Sequence, residues 1–185
     1  ALVITDSQAV REVAAAVPED IRLTTFSTLF ARYKGDFAAQ LAGAAAIDTL
    51  KDGDRVLIAE GCSHHVTCDD IGRVKIPNWM KKYTGRELKF EWTQGADFPD
   101  NLEDYALVVH CGGCMLNRAE VRRRINECAR QGVKVTNYGI VISKMQGVLE
   151  RVVKGIADAG ATGSVSATGS ISDTGSVSDT GEEGD

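Results

Sequence analysis

Long apolar runs are missing from this sequence, and its first residues do not predict a secretory signal. No apolar run approaches the roughly 18 to 20 residues that a membrane-spanning helix needs. The first residues show no basic segment followed by a hydrophobic stretch, so neither a membrane span nor a secretory signal is predicted. We therefore expect a cytoplasmic protein. Its cysteines number five, and an odd number in an unsecreted chain favours metal ligation or free thiols over a disulfide framework.

An excess of basic residues is missing too. The chain has 26 acidic residues, five of which lie in residues 159–185, and the other 21 are balanced by 21 basic residues. Nucleic-acid binding depends largely on basic residues that neutralise phosphates. Residues 1–158 carry no net charge and show no long basic stripe, so they are not suited to this role. No nucleic-acid partner is expected, and Arg122, Arg123 and Arg124 are interpreted as a solvated helix face.

Short apolar runs alternate with amphipathic segments along the first 157 residues. The runs that predict strands are Ala1–Thr5, Ile21–Thr25, Arg55–Ala59, Leu88–Glu91, Tyr105–His110 and Val133–Thr136. The segments with a 3.6-residue period, which predict helices, are 7–17, about 28–50, 117–131 and 142–157. This alternation predicts an α/β fold with a parallel sheet and flanking helices.

Three regions are predicted along the chain. Residues 1–50, with two strands only, are too small for an independent sheet and are expected either to be half of an α/β domain or to complete one by pairing with another copy of the chain. The turn Lys51–Asp54 opens a second α/β domain over 51–158. Residues 159–185 repeat a Thr-Gly-Ser hexapeptide from Thr162 and are expected to be disordered, because they offer very little apolar surface to bury.

Two clusters of metal-ligand residues dominate the second domain. Cys62-Ser63-His64-His65 follows one predicted strand, and His110-Cys111-Gly112-Gly113-Cys114 follows another. They contain all three histidines of the chain and three of its five cysteines. Because the carboxyl ends of parallel strands share one edge of a sheet, these loops and the third loop at Asn137 and Tyr138 are expected to meet.

The residue types leave the kind of site open. A Cys3His zinc site fits the spacing, and so does a 4Fe-4S cluster held by three cysteines with a replaceable ligand on its fourth iron. The Cys-Gly-Gly-Cys segment at a helix start also fits a thiol-disulfide redox motif. Gly112 and Gly113 would let the backbone approach a cluster, and Asn117 is a plausible helix cap. Cys128 falls on an apolar helix face and is interpreted as a core residue.

These residues resemble the iron-sulfur domain of the HydF family, the maturation scaffolds of FeFe-hydrogenase. The family's Cys-x-His and His-Cys-x-x-Cys signatures are matched by Cys62-Ser63-His64 and by His110–Cys114. Further stretches that resemble the family are Asp69–Pro77, Cys114–Arg118, Thr136–Gly139 and, in its dimerisation domain, Thr5–Gln8 and Phe30–Asp36. The resemblance covers about residues 1–157.

The resemblance implies a 4Fe-4S cluster on Cys62, Cys111 and Cys114. The expected exchangeable fourth ligand is one of Asp69, His64, His65 and Cys68, although Cys68 would close the site as a full thiolate. The residues expected around these ligands are His110, Gly112, Gly113, Asn137 and Tyr138. A scaffold of this kind carries a two-iron precursor, built by partner radical enzymes, to apo FeFe-hydrogenase, and is not itself an enzyme.

Two further expectations follow from the resemblance. Such proteins dimerise through the segment that precedes the iron-sulfur domain, so a homodimer is expected. They also begin with a GTPase domain, yet no G-x-x-x-x-G-K-[ST] phosphate loop occurs here, and we expect that this chain has lost that domain by truncation.

Overall fold

The fold is taken from a computed structural model, which describes residues 1–61 and 70–157. The strands are β1 Leu2–Thr5, β2 Arg22–Thr25, β3 Arg55–Ala59, β4 Lys89–Thr93, β5 Leu107–His110 and β6 Lys134–Asn137. The α-helices are α1 Val10–Ala16, α2 Phe26–Lys34, α3 Phe37–Ala45, α4 Ile76–Thr84, α5 Arg118–Arg130, α6 Tyr138–Met145 and α7 Leu149–Ala157. A 3-10 turn at Ala46–Thr49 follows α3, and a π-helical turn at Ile71–Lys75 precedes α4. The tail predicted to be disordered lies outside the described residues.

Both sheets in the described part of the chain are parallel. Strands β1 and β2 form a small two-stranded sheet, and the larger sheet has the order β4-β3-β5-β6. The register aligns the last residues of three neighbouring strands, Ala59, His110 and Asn137. The predicted α/β fold, with a small α/β segment before the main sheet, is confirmed.

The central strands are apolar because helices cover both faces of the main sheet. Val56 and Ile58 of β3 face one buried cluster, whereas Leu57 of β3 and Val108 of β5 face the other. The first cluster also contains Leu23 of β2. Alternating side chains of one strand point to opposite faces, so a run of apolar residues fits a strand that is buried on both sides. The two sheets therefore share a core.

Some element boundaries differ from the prediction. The helix expected over about 28–50 is divided at Gly35, and α3 restarts after Asp36, whose side chain accepts the amide of Ala39 at 2.9 Å. The helix expected from 142 already begins at Tyr138, and α7 is a separate helix. Helix α4 was not among the predicted helices. None of the described helices is long and apolar enough to cross a membrane.

Two glycines let helices pack directly on strand backbones. A side chain at Gly43 of α3 would overlap the carbonyl oxygen of Val135 in β6, and one at Gly155 of α7 would overlap that of Leu23 in β2. Helix α3 thus covers the edge of the main sheet, and α7 covers the small sheet. The domain boundary at residue 50 stays a prediction.

These contacts lead to a stability prediction. Gly43→Ala and Gly155→Ala should each lower the free energy of unfolding by about 1 to 3 kcal/mol, because the added carbon forces the helix off the strand. Urea titration followed by circular dichroism measures the effect. Helix propensity alone would give the opposite sign, a gain of about 1 kcal/mol.

The controls are exposed positions on the same helices. Ala42→Ser and Lys154→Ala should change the free energy of unfolding by no more than about 0.5 kcal/mol. A stabilised Gly43→Ala or Gly155→Ala variant would show that the helix does not lie on the strand backbone as described.

Candidate metal centre

The candidate site lies at the carboxyl edge of the main sheet. Strands β3, β5 and β6 are neighbours and run in parallel, so the loops that follow them leave from one edge, as predicted. The ladder continues past the strand ends, since the amide of Cys111 donates to the carbonyl oxygen of Ala59 at 2.9 Å. The two loops that carry the cysteine motifs therefore begin next to each other at this edge of the sheet.

The sulfur of Cys111 accepts two backbone hydrogen bonds. The amide of Gly61 donates to Cys111 Sγ at 3.0 Å, and the amide of Gly113 donates to it at 3.3 Å. Gly61 is the residue directly before Cys62 in the chain. Amide hydrogen bonds to sulfur stabilise a thiolate and are one of the means by which proteins tune sulfur-ligated metals.

Gly61 also lies close to the turn that contains the second cysteine pair. A carbon at its Cβ position would lie 2.7 Å from Cγ of Leu116 and 3.4 Å from Cys111 Sγ. Only a glycine fits this approach without moving its neighbours. Gly61, which directly precedes the first cysteine motif in the chain, is thus in contact with the second motif.

Cys114 sits on the exposed side of a tight turn between β5 and α5. Gly113 has a left-handed backbone with φ +64, and the amide of Leu116 donates to its carbonyl at 3.2 Å. Asn117 caps α5, as predicted, by accepting the amide of Glu120 at 2.8 Å. The positive end of the helix dipole therefore faces the turn, where it favours anionic ligands.

Gly112 has a structural neighbour that the sequence did not indicate. A carbon at its Cβ position would lie 3.2 Å from Oγ and 3.6 Å from Cα of Ser27 in α2. The close approach observed at this glycine is therefore to a helix. Its predicted approach to a cluster stays a prediction.

His110 is buried under the turn and is neutral. It is 1% exposed, and burial lowers the pKa of its imidazole to about 4, against the opposing effect of a hydrogen bond to the Cys111 backbone. Nδ1 lies 2.8 Å from the carbonyl oxygen of Cys111, which can only accept, so Nδ1 carries the proton. Among the described residues, Nε2 has no hydrogen-bond partner.

Asn137 and Tyr138 have structural roles at the start of α6. Asn137 Oδ1 accepts the amides of Gly139 at 2.8 Å and Ile140 at 3.4 Å, which is an N-cap. Tyr138 is buried, and its hydroxyl lies against Gly72 so closely that a side chain there would overlap it. Their predicted place around a cluster stays a prediction.

The remaining predicted ligands lie outside the described residues. They are Cys62, His64, His65, Cys68 and Asp69. Within residues 1–61 and 70–157, no three potential metal ligands lie together.

Cys128 is fully buried in the core beside Val121 and Ile125, as predicted, and desolvation raises the pKa of its thiol to about 12.

An ion pair between a buried glutamate and a partly exposed arginine joins the chain on either side of residues 62–69. Glu60 is 1% exposed, and its Oε2 lies 3.5 Å from Nη2 of Arg73 and accepts a hydrogen bond from Gln94 at 3.3 Å. Asp70 Oδ1 accepts the amides of Gly72 and Arg73 and so caps the π-helical turn. The signal for Glu60 was available, since a carboxylate that directly continues a buried strand needs a partner.

A lysine of α2 also reaches the turn, and sequence reasoning missed it. Lys34 Nζ donates to the carbonyl oxygens of Gly113 at 2.9 Å, Cys114 at 3.0 Å and Leu116 at 2.8 Å. No local sequence signal predicts this contact, because it depends on where α2 is placed. The turn that carries Cys114 is thus bound to the N-terminal segment.

Two protein-family models match the chain. Residues 1–35 match the hydrogen maturase F dimerization domain, and residues 38–155 match the hydrogen maturase F tetramerization domain. A search of curated proteins gave no match. The larger match alone covers more than half of the 185 residues, and it agrees with the resemblance found in the cysteine motifs. The chain therefore belongs to the hydrogen maturase F family.

Proposed function

We propose that this chain holds a 4Fe-4S cluster on Cys62, Cys111 and Cys114 and carries a two-iron precursor to apo FeFe-hydrogenase. Membership of the hydrogen maturase F family indicates a role in hydrogenase maturation. The cluster, its three ligands and the cargo are the proposed parts. The partner radical enzymes that build the precursor belong to the same proposal.

The observation that carries the proposal is the hydrogen bond from Gly61 to Cys111 Sγ. It brings the residue that precedes Cys62 into contact with the sulfur of Cys111 at 3.0 Å. A cluster that bridges the two motifs requires such an approach. The contact of Gly61 with Leu116 supports the same approach from the far side of the turn.

The surroundings of Cys111 and Cys114 are suited to cluster ligands. Two amides donate to Cys111 Sγ, as is common for thiolates that ligate iron-sulfur clusters. Cys114 is exposed, so a cluster on this turn would be open to solvent and to a partner protein. The donor set of these residues fits the group that the family implies.

The exchangeable ligand on the fourth iron is proposed among Asp69, His64, His65 and Cys68. A carboxylate or imidazole there is displaced more readily than a thiolate. A replaceable ligand gives the cargo a place to attach and to leave. The matched domains are named for association and not for catalysis, so the proposed role is that of a carrier.

The first test is reconstitution of the cluster. The chain, incubated anaerobically with iron and sulfide, is expected to take up about four iron atoms and to show a thiolate-to-iron charge-transfer band. Cys62→Ser, Cys111→Ser and Cys114→Ser should each reduce bound iron by more than about half, because each removes one of three proposed ligands. Iron and sulfide analysis with visible absorption measures this.

Cys128→Ala is the matched control, because its thiol is buried in the core away from the site. It should retain the iron content of the unchanged chain. A colourless protein with stoichiometric zinc would contradict the iron-sulfur proposal and favour a Cys3His zinc site. A reversible Cys111–Cys114 disulfide without bound metal would instead favour the hypothesis of a thiol-disulfide redox protein.

A second test concerns self-association. We propose a homodimer through residues 1–35, where the small sheet has two strands only and Ile4 on β1 is 39% exposed. Light scattering should give a mass of at least twice 19.8 kDa. Ile4→Glu should shift the population towards a smaller species, because it places a charge on the proposed contact.

Lys89→Glu is the control for this test. It introduces a carboxylate on the exposed face of an edge strand in the other sheet, β4, and should leave the proposed dimer intact. A 19.8 kDa species for the unchanged chain at micromolar concentration would contradict the proposed dimer.

A further inference from the structure

The ammonium group of Lys34 is bound by three carbonyl oxygens of the Cys114 turn. The distances from Nζ to the oxygens of Gly113, Cys114 and Leu116 are 2.9, 3.0 and 2.8 Å. An ammonium group has three N–H donors, so all of them are used. Each bond is charge-assisted and stronger than a bond between neutral groups. The turn is therefore held at one point from outside.

The geometry of the turn explains why three carbonyls converge. Gly113 has φ +64, which reverses the chain direction, and the Leu116 amide closes the turn on the Gly113 carbonyl. These carbonyls surround a place that suits a cation. The stem of Lys34 is half-buried, and its ammonium lies 4.9 Å from the ring centre of Phe30. The charge is thereby held in a defined position.

The other end of α2 touches the same loop. Ser27 lies against Gly112, with its Cα 3.6 Å from the Cβ position of that glycine. Ser27 and Lys34 are separated by about two helical turns and so lie on the same face of α2. One face of this short helix runs along the Cys-Gly-Gly-Cys loop. Residues 1–35, to which α2 belongs, match the dimerization domain.

We infer that Lys34 is a positioning residue that couples the dimerisation segment to the metal-binding turn. It keeps the turn in one conformation before any metal is bound, and the order of the turn depends on how α2 is seated. The positive charge beside the turn also favours an anionic cluster. The inference rests on the proposed cluster function only for this last effect, because the positioning role applies to the metal-free chain.

The test uses hydrogen exchange in the metal-free, reduced full chain. Lys34→Met removes the charge and the donors but keeps a similar unbranched stem. The amides of Gly113 and Leu116, which donate within the turn, should exchange roughly tenfold faster or more, the change that about 1.4 kcal/mol of lost stabilisation gives. Mass spectrometry of a peptide that spans residues 111–117 measures this.

Arg32→Met is the matched control. Arg32 is an exposed basic residue of the same helix, so its loss changes the net charge equally without touching the turn. Its exchange in the peptide should equal that of the unchanged chain. Equal exchange in Lys34→Met and the unchanged chain would overturn the inference.

Lys34→Arg keeps the test decisive should Lys34→Met fail to fold. It retains the charge, but its donors lie in a planar fork that does not match three converging carbonyls. We expect its exchange rate to lie between the rates of the unchanged chain and Lys34→Met. If Lys34→Met is unfolded, we expect the rate of Lys34→Arg to exceed that of the unchanged chain. A rate equal to that of the unchanged chain would then overturn the positioning role.

A second readout follows the reconstituted cluster. Lys34→Met should lower its reduction potential and speed the loss of iron to a chelator, and Arg32→Met should do so to a smaller extent. If the unchanged chain takes up no cluster, the proposed function fails, yet the exchange result still decides the role of Lys34. If the cluster forms and the exchange does not change, the inference fails alone.

Discussion

The pairing of β3 with β5 determines where everything else in this site lies. It aligns Ala59 with His110 and continues into the hydrogen bond from the Cys111 amide to the Ala59 carbonyl. Gly61, two residues beyond Ala59, is then close enough to donate to Cys111 Sγ. A slip of one residue would turn every side chain of β5 to the opposite face and would remove this contact. Both faces are packed in separate cores, so such a slip would move each side chain into a space shaped for another one.

Close packing of helices on backbones extends the same precision to the N-terminal segment. Gly155 brings α7 against β2, and Gly43 brings α3 against β6, so neither helix can shift without opening the core. Helix α2 follows β2 directly and is capped by Thr25, whose side chain accepts the Thr28 amide at 3.2 Å. The place of α2, and hence of Lys34, is thus fixed by the small sheet. The segment that the family model links to dimerisation is in this way part of the surroundings of the turn that carries Cys114.

Local patterns allowed the sheet to be predicted, but not the contacts between distant elements. The apolar run Arg55–Ala59 forms β3 with the predicted bounds. A run of consecutive apolar residues is the local signature of a parallel strand that is buried on both faces. Pro77, near the start of α4, was a start signal that was overlooked. The Asp36 cap that divides α3 from α2 was hidden in an alanine-rich helical pattern. The ion pair of Glu60 with Arg73 and the hydrogen bonds of Lys34 to the Cys114 turn depend on how distant elements are placed in the fold. The hydrophobic periodicity of the sequence does not encode that placement.

The groups around Cys111 favour an anionic sulfur. Its two observed donors are backbone amides, which have fixed directions and give up no proton near neutral pH. His110 stays neutral because burial lowers its pKa to about 4, and its Nδ1 proton is used on the Cys111 carbonyl. The ammonium of Lys34 donates its three hydrogen bonds to carbonyl oxygens. Its charge therefore acts on the turn without a direct bond to sulfur. Under the proposed function, Cys111 is a firmly held ligand, and exchange takes place at the fourth iron. A carrier needs that separation, since it must release its cargo and keep its cluster.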